Sequence, residues 1–195
     1  MAITYPLTPP ASFGAARLSF TGVSSTSRNI SPFTLQTQQY NWSGQAWMAS
    51  VECPPMQRAD AEDIISFLLS VQRGTFYFKD YANPNPRGTV TGTLQVSSAT
   101  ANTTTLGISG ATGTFAVGDW LSISNSLYKV IIATSSTSVE VFPALRASYG
   151  ATTAISYTNG EPKGVFRLAE SKTDWSIGLA SIYGVTFSIM EDVAT

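Results

Sequence analysis

The stretch Ser181-Ile182-Tyr183-Gly184-Val185-Thr186-Phe187-Ser188-Ile189 alternates large apolar and small or polar residues without a break. Successive side chains of a β-strand point to opposite faces, so Tyr183, Val185, Phe187 and Ile189 share one face, and Gly184, Thr186 and Ser188 share the other. That is the pattern of a strand with one side on a core. The same period recurs from Arg17 to Gly22, from Tyr40 to Val51 with Trp42 and Trp47, from Thr75 to Lys79 and from Gly164 to Ala169. The chain therefore reads as mainly β.

One segment departs from this period. Ala61, Ile64, Ile65, Leu68 and Leu69 recur at the spacing of one helical face, which predicts a helix from about Arg58 to Gln72. Pro54-Pro55 excludes an earlier start, and Asp60, Glu62 and Asp63 place negative charge in the first turns, where the helix dipole favours it. Gly74 is placed to supply a left-handed C-cap.

The middle of the chain changes composition. Between Arg87 and Gly160 there are only five charged residues (Arg87, Asp119, Lys129, Glu140, Arg146) but 25 Ser or Thr. Pro84-Asn85-Pro86-Arg87-Gly88 precedes this stretch and Asn159-Gly160-Glu161-Pro162-Lys163-Gly164 follows it. Loops rich in Pro and Gly at both ends mark a module that leaves a scaffold and rejoins it. Short strands are predicted within it at Thr89 to Val96, Thr104 to Ile108, Asp119 to Ser124, Leu127 to Ala133, Ser138 to Phe142 and Thr152 to Tyr157, enough for a small β-barrel over 87–160. The flanking pieces, 1–86 and 161–195, then form one discontinuous β-sandwich domain carrying the helix. The strand leading out near Gly74 to Tyr81 is expected beside the one leading back near Val165 to Leu168.

Composition bounds the function. The chain has 195 residues, 11 Lys+Arg against 12 Asp+Glu, no His and one Cys. A chain of this length buries a core without disulfide or metal staples. The scattered basic residues give no footprint for phosphate backbones, so sequence-specific nucleic-acid binding is not expected. Ile64-Ile65 and Phe67-Leu68-Leu69 around Ser66 are too short a run to insert in a membrane, and the N-terminal residues lack the pattern of an export signal.

Catalytic sets are not in view. Without His there is no Ser-His-Asp or Cys-His arrangement, and Cys53 reads as a small buried residue. A glycoside hydrolase would need two carboxylates facing one bond. Asp119 and Glu140 are the only acids of the module, and Asp119 reads as a turn residue before a strand. The sequence nominates no catalytic residue, no cofactor and no metal. Phe76 and Phe78 face opposite to Tyr77, so that strand is apolar on both sides, as if covered by the domain on one side and a partner on the other.

As an ordered set, Tyr40-Asn41-Trp42-Ser43-Gly44-Gln45-Ala46-Trp47, Cys53-Pro54-Pro55-Met56-Gln57-Arg58-Ala59, Gly74-Thr75-Phe76, Pro86-Arg87-Gly88, Val141-Phe142-Pro143-Ala144-Leu145-Arg146 and Pro162-Lys163-Gly164-Val165-Phe166-Arg167-Leu168 resemble the distal tail proteins of long-tailed (siphovirus-type) bacteriophages. Trp175 and Tyr183-Gly184-Val185-Thr186-Phe187 extend the resemblance to the closing strands. It implies a virion protein of the tail tip, made in the host cytoplasm. Its tail-tube-like sandwich would form a ring, a hexamer in that family, joining the tube protein to the baseplate hub and letting DNA pass. The inserted barrel, of OB-like type, would project outward. Trp42, Trp47, Phe76, Phe78 and Tyr183 are the expected ring contacts. The alternative is a carbohydrate-binding or adhesin module whose barrel meets host-surface glycan through Trp120 and Tyr128.

Overall fold

The computed structural model describes residues 3–158, 160–178 and 181–193. Twelve strands and one helix are present among them, in two sheets whose strands all pair antiparallel.

The first sheet joins the two ends of the chain. β1 (Arg17–Ile30) and β2 (Thr37–Glu52) form a long hairpin, and β12 (Tyr183–Glu191) pairs with the inner half of β2, Val51 opposite Phe187 and Ala49 opposite Ile189. On the other side of β12 lie β10 (Gly164–Leu168) and β11 (Asp174–Ile177), one after the other. β3 (Phe76–Phe78) completes the order, with Phe76 opposite Phe166. The strand leading out to the middle of the chain and the strand leading back are thus hydrogen-bonded neighbours. Leu7 then closes the outer edge of β3, since its carbonyl accepts the Tyr77 N–H and its own N–H reaches the Thr75 carbonyl.

Alternation decides which face of this sheet is buried. Tyr183, Val185, Phe187 and Ile189 of β12 and Trp47, Ala49 and Val51 of β2 point into one core. The layer opposite them is made by α1 (Arg58–Val71) and by the near wall of the second sheet. The helix buries Ala61, Ile64, Ile65, Phe67, Leu68 and Val71, whereas Leu69, expected in the stripe, lies exposed at its margin. Gly74 does not have the expected left-handed conformation. The helix ends through right-handed Gln72, and glycine is needed for a different reason: the Tyr5 ring lies where a Cβ would be, and its hydroxyl donates to the Ser70 carbonyl at 2.7 Å.

The second sheet runs β4 (Gln95–Ala99), β5 (Thr105–Ser109), β8 (Ser138–Phe142), β7 (Ser126–Ala133), β6 (Trp120–Ile123) and β9 (Ile155–Ser156). A bridge between Gln95 and Ala154 brings the last strand back to the first, so the sheet is a nearly closed barrel. Val96, Leu106, Ile108, Leu121, Ile123, Tyr128, Val130, Val139 and Val141 fill it. The strand expected from Thr89 to Val96 is broken at Gly92, whose φ of 107° no strand accommodates, and regular pairing begins only at Gln95.

Candidate assembly surfaces

The two sheets meet at an aromatic seam. The Trp47 ring lies 5.0 Å from Trp120 and 5.0 Å from Phe142, and Phe20 lies 4.9 Å from Trp120. The Trp47 indole N–H donates to the Leu127 carbonyl of β7 at 3.0 Å. Polar bonds flank these rings. Arg146 donates to Glu191 and to the Gln45 carbonyl, both at 2.6 Å, and the Ala144 N–H donates to the Gln45 side chain at 2.7 Å. The wall of the barrel is therefore fastened to β2 and β12, not tethered by its linkers alone.

Asp119 organises the entry to the barrel. Its carboxylate accepts the backbone N–H groups of Arg87, Gly88 and Ala116 and the hydroxyl of Tyr157. Gly88 is required there because the Tyr157 hydroxyl and the Thr114 carbonyl occupy the space of a Cβ. Burial and the bond to Asp119 push the Tyr157 phenol well above its ordinary range. Both carboxylate oxygens of Asp119 are engaged by the fold, so its role is structural. Cys53 is buried, and burial raises its thiol to about 11, which keeps it protonated at neutral pH. Among the described residues no group of three or more Cys, Asp or Glu is placed to hold a metal.

The structure redistributes the expected contact residues. Trp47, Phe76, Phe78 and Tyr183 belong to the core of their own chain: Phe76 and Phe78 fill the buried face of β3, whose other face carries the half-buried Tyr77, and Tyr183 lies on the inner face of β12. All four side chains are therefore buried in the single chain. Trp42 alone of the five exposes its side chain. Trp120 and Tyr128 are buried too, Trp120 in the aromatic seam and Tyr128 inside the barrel, so neither presents a face to glycan.

What is exposed is the hairpin. Beyond the level where β12 ends, β1 and β2 continue as an unsupported two-stranded ribbon, with every residue from Thr21 to Ile30 and from Thr37 to Gly44 exposed. Its large side chains are in solvent: Phe33 is 95% exposed, Leu35 77%, Tyr40 69% and Trp42 64%. From Leu18 to Val51 the only charge is Arg28. The signal that could have located the ribbon is Ser31-Pro32-Phe33-Thr34 between two Ser/Thr/Gln-rich runs. Because those runs lack apolar alternation, reading the period recovered only the inner half of β1.

Two further surfaces complete the picture. Among the described residues the outer edges of β1 and β11 have no strand partner, and Trp175 and Ile177 of β11 and the nearby Ile182 are exposed. The face of the sheet turned away from α1 mixes hydroxyls with Met48 and Met190 and with the charges of Arg17, Glu52 and Arg167. Ser19, Ser50 and Ser188 stand in register across three adjacent strands, with Thr21 and Thr186 beside them, all exposed. No family model and no curated protein sequence matches this chain.

Proposed function

We propose that this chain is a structural protein of a phage tail tip, a distal tail protein whose subunits join around an axis to link the tail tube to the hub. The observation that carries this reading is the hairpin. A two-stranded ribbon is marginal in water by itself, and one that also exposes Phe33, Leu35, Tyr40 and Trp42 calls for a covering partner. The free edges of β1 and β11 lie on opposite sides of the sheet, which is the geometry of a head-to-tail contact between copies. A ring of such contacts would be hexameric by the family resemblance.

The uncovered face, whose serine and threonine hydroxyls stand among the singly placed Arg17 and Arg167 and the carboxylate of Glu52, suits a channel wall. Hydroxyl groups hydrate well but do not hold phosphates as clustered Lys or Arg would, so DNA could pass without sticking. The adhesin reading through the barrel loses support, since Trp120 and Tyr128 are buried.

The test is the mass and image of the purified chain. Wild type is expected to form rings with a central hole, and the triple change Phe33→Ser, Leu35→Ser, Trp42→Ser to give folded subunits with an unchanged melting temperature. A wild type that stays monomeric with the tube protein present, or rings that tolerate the triple change, would sink the reading.

A further inference from the structure

A cleft of about 680 Å³ lies between the N-terminal segment, the strand end after β3 and the loop that returns from the barrel. One side of it is apolar: Pro9 and Pro10 line it beside Phe13, and the Tyr81 ring lies 4.7 Å from Phe13 and 5.4 Å from Phe78. Two lysines enter the same cleft. Lys163 places its ammonium 4.2 Å from the centre of the Tyr77 ring, and Lys79 lies 5.5 Å from that of Tyr81. Neither has a carboxylate within ion-pair distance among the described residues, although Glu161 lines the cleft. In a chain whose basic residues are otherwise scattered, this convergence gives the cleft a net positive charge.

We propose that this cleft binds a saccharide unit bearing a negative charge. An anion in the cleft is attracted by both ammonium groups, and a tyrosine ring lies beneath each of them before the ligand arrives. Hydroxyl groups of Thr8, Ser156 and the two tyrosines, with the Glu161 carboxylate, supply donors and acceptors suited to sugar hydroxyls. The prolines offer apolar surface to the C–H face of a pyranose. An extended peptide is disfavoured, because Leu7 already occupies the edge of β3 where a strand would add. The site lies outside the barrel interior and does not depend on ring formation.

The experiment titrates the full-length protein with tri-galacturonate, followed by amide chemical shifts, beside galactotriose, inorganic phosphate and triglutamate. Tri-galacturonate is expected to bind saturably, shift Lys79, Tyr81 and Lys163, and exceed each of the other three by about tenfold. The double change Lys79→Met, Lys163→Met should weaken it at least about tenfold without altering the melting temperature, and Lys79→Arg, Lys163→Arg should retain it. Equal binding of phosphate would reduce the site to a simple anion hole, and equal binding of triglutamate would assign it to peptide. Either result, or the absence of saturation, overturns the proposal.

Discussion

Arg146 and Glu191 meet at 2.6 Å where β12 runs out, and together they replace the strand that is missing there. The β12 register on β2 stops at Met190 opposite Met48. Beyond it, the Glu191 carboxylate accepts the Trp47 N–H at 3.1 Å and the Arg146 guanidinium donates to the Gln45 carbonyl at 2.6 Å. Backbone groups that a longer β12 would have met are thus satisfied by a side-chain pair, and one member of that pair comes from the barrel. The hairpin leaves the sheet at this point, so the barrel fixes its root.

Removing either partner leaves a buried charge alone. Arg146→Ala or Glu191→Ala is expected to cost about 3–5 kcal/mol in urea unfolding, because each strands its partner and a β2 backbone group. The double change Arg146→Met, Glu191→Leu should recover a substantial part of that loss. A double variant as unstable as the sum of the single ones would show that the pair contributes independently and not as a unit.

Glu191 also makes stability depend on pH in a defined direction. Burial raises its carboxyl above the usual 4.5, more than Arg146 and the Trp47 N–H lower it. With a raised value the folded state holds a proton that the unfolded chain has released, so this group's contribution is fully present below 4.5 and is lost as pH rises through the folded value. The stability advantage of wild type over Glu191→Gln should therefore be larger at pH 4.5 than at pH 7, as read from paired denaturation curves. An advantage that grows with pH would show that Arg146 outweighs burial.

Trp47 tests the seam between the sheets. Truncation to Ala removes a buried indole packed on Trp120 and Phe142 and orphans the Leu127 carbonyl, so a loss of about 3–5 kcal/mol is expected. Calorimetry should record it as a lowered unfolding temperature of the subunit itself. Dissociation of an otherwise unchanged subunit would instead assign Trp47 to an interface.

Period and punctuation made much of this architecture legible. The alternation at Tyr183 to Ile189 gave the buried face of β12, the helical stripe gave α1 to within a residue, and the second sheet, from Gln95 to Ser156, lies between the two Pro/Gly loops. The assembly surface was less legible because hydrophobicity alone does not say what covers a side chain. Trp47, Phe76 and Trp42 look alike in sequence, but β12, β10, α1 and the barrel cover the first two and stop short of the third. The Arg146–Glu191 pair joins residues 45 apart in sequence, and no local pattern signals such a contact.

The outer hairpin supplies the last prediction. Its amides bond only across one pair of strands, with no third strand and no core beneath, so in the free subunit they should open readily. Amide exchange followed by mass spectrometry is expected to show residues 24–30 and 37–44 exchanging within seconds, while Ala49 to Val51 and Val185 to Ile189, on two strands that each have a neighbour on both edges, stay protected for hours. Assembly with the tube protein should slow the outer segment by at least about 100-fold, since ordering it against a partner must offset roughly 2–3 kcal/mol of local opening. Outer amides that are slow in the isolated subunit would mean that the ribbon supports itself and needs no covering surface. If they stay fast after assembly, the exposed Phe33, Leu35 and Trp42 serve something other than ring contact.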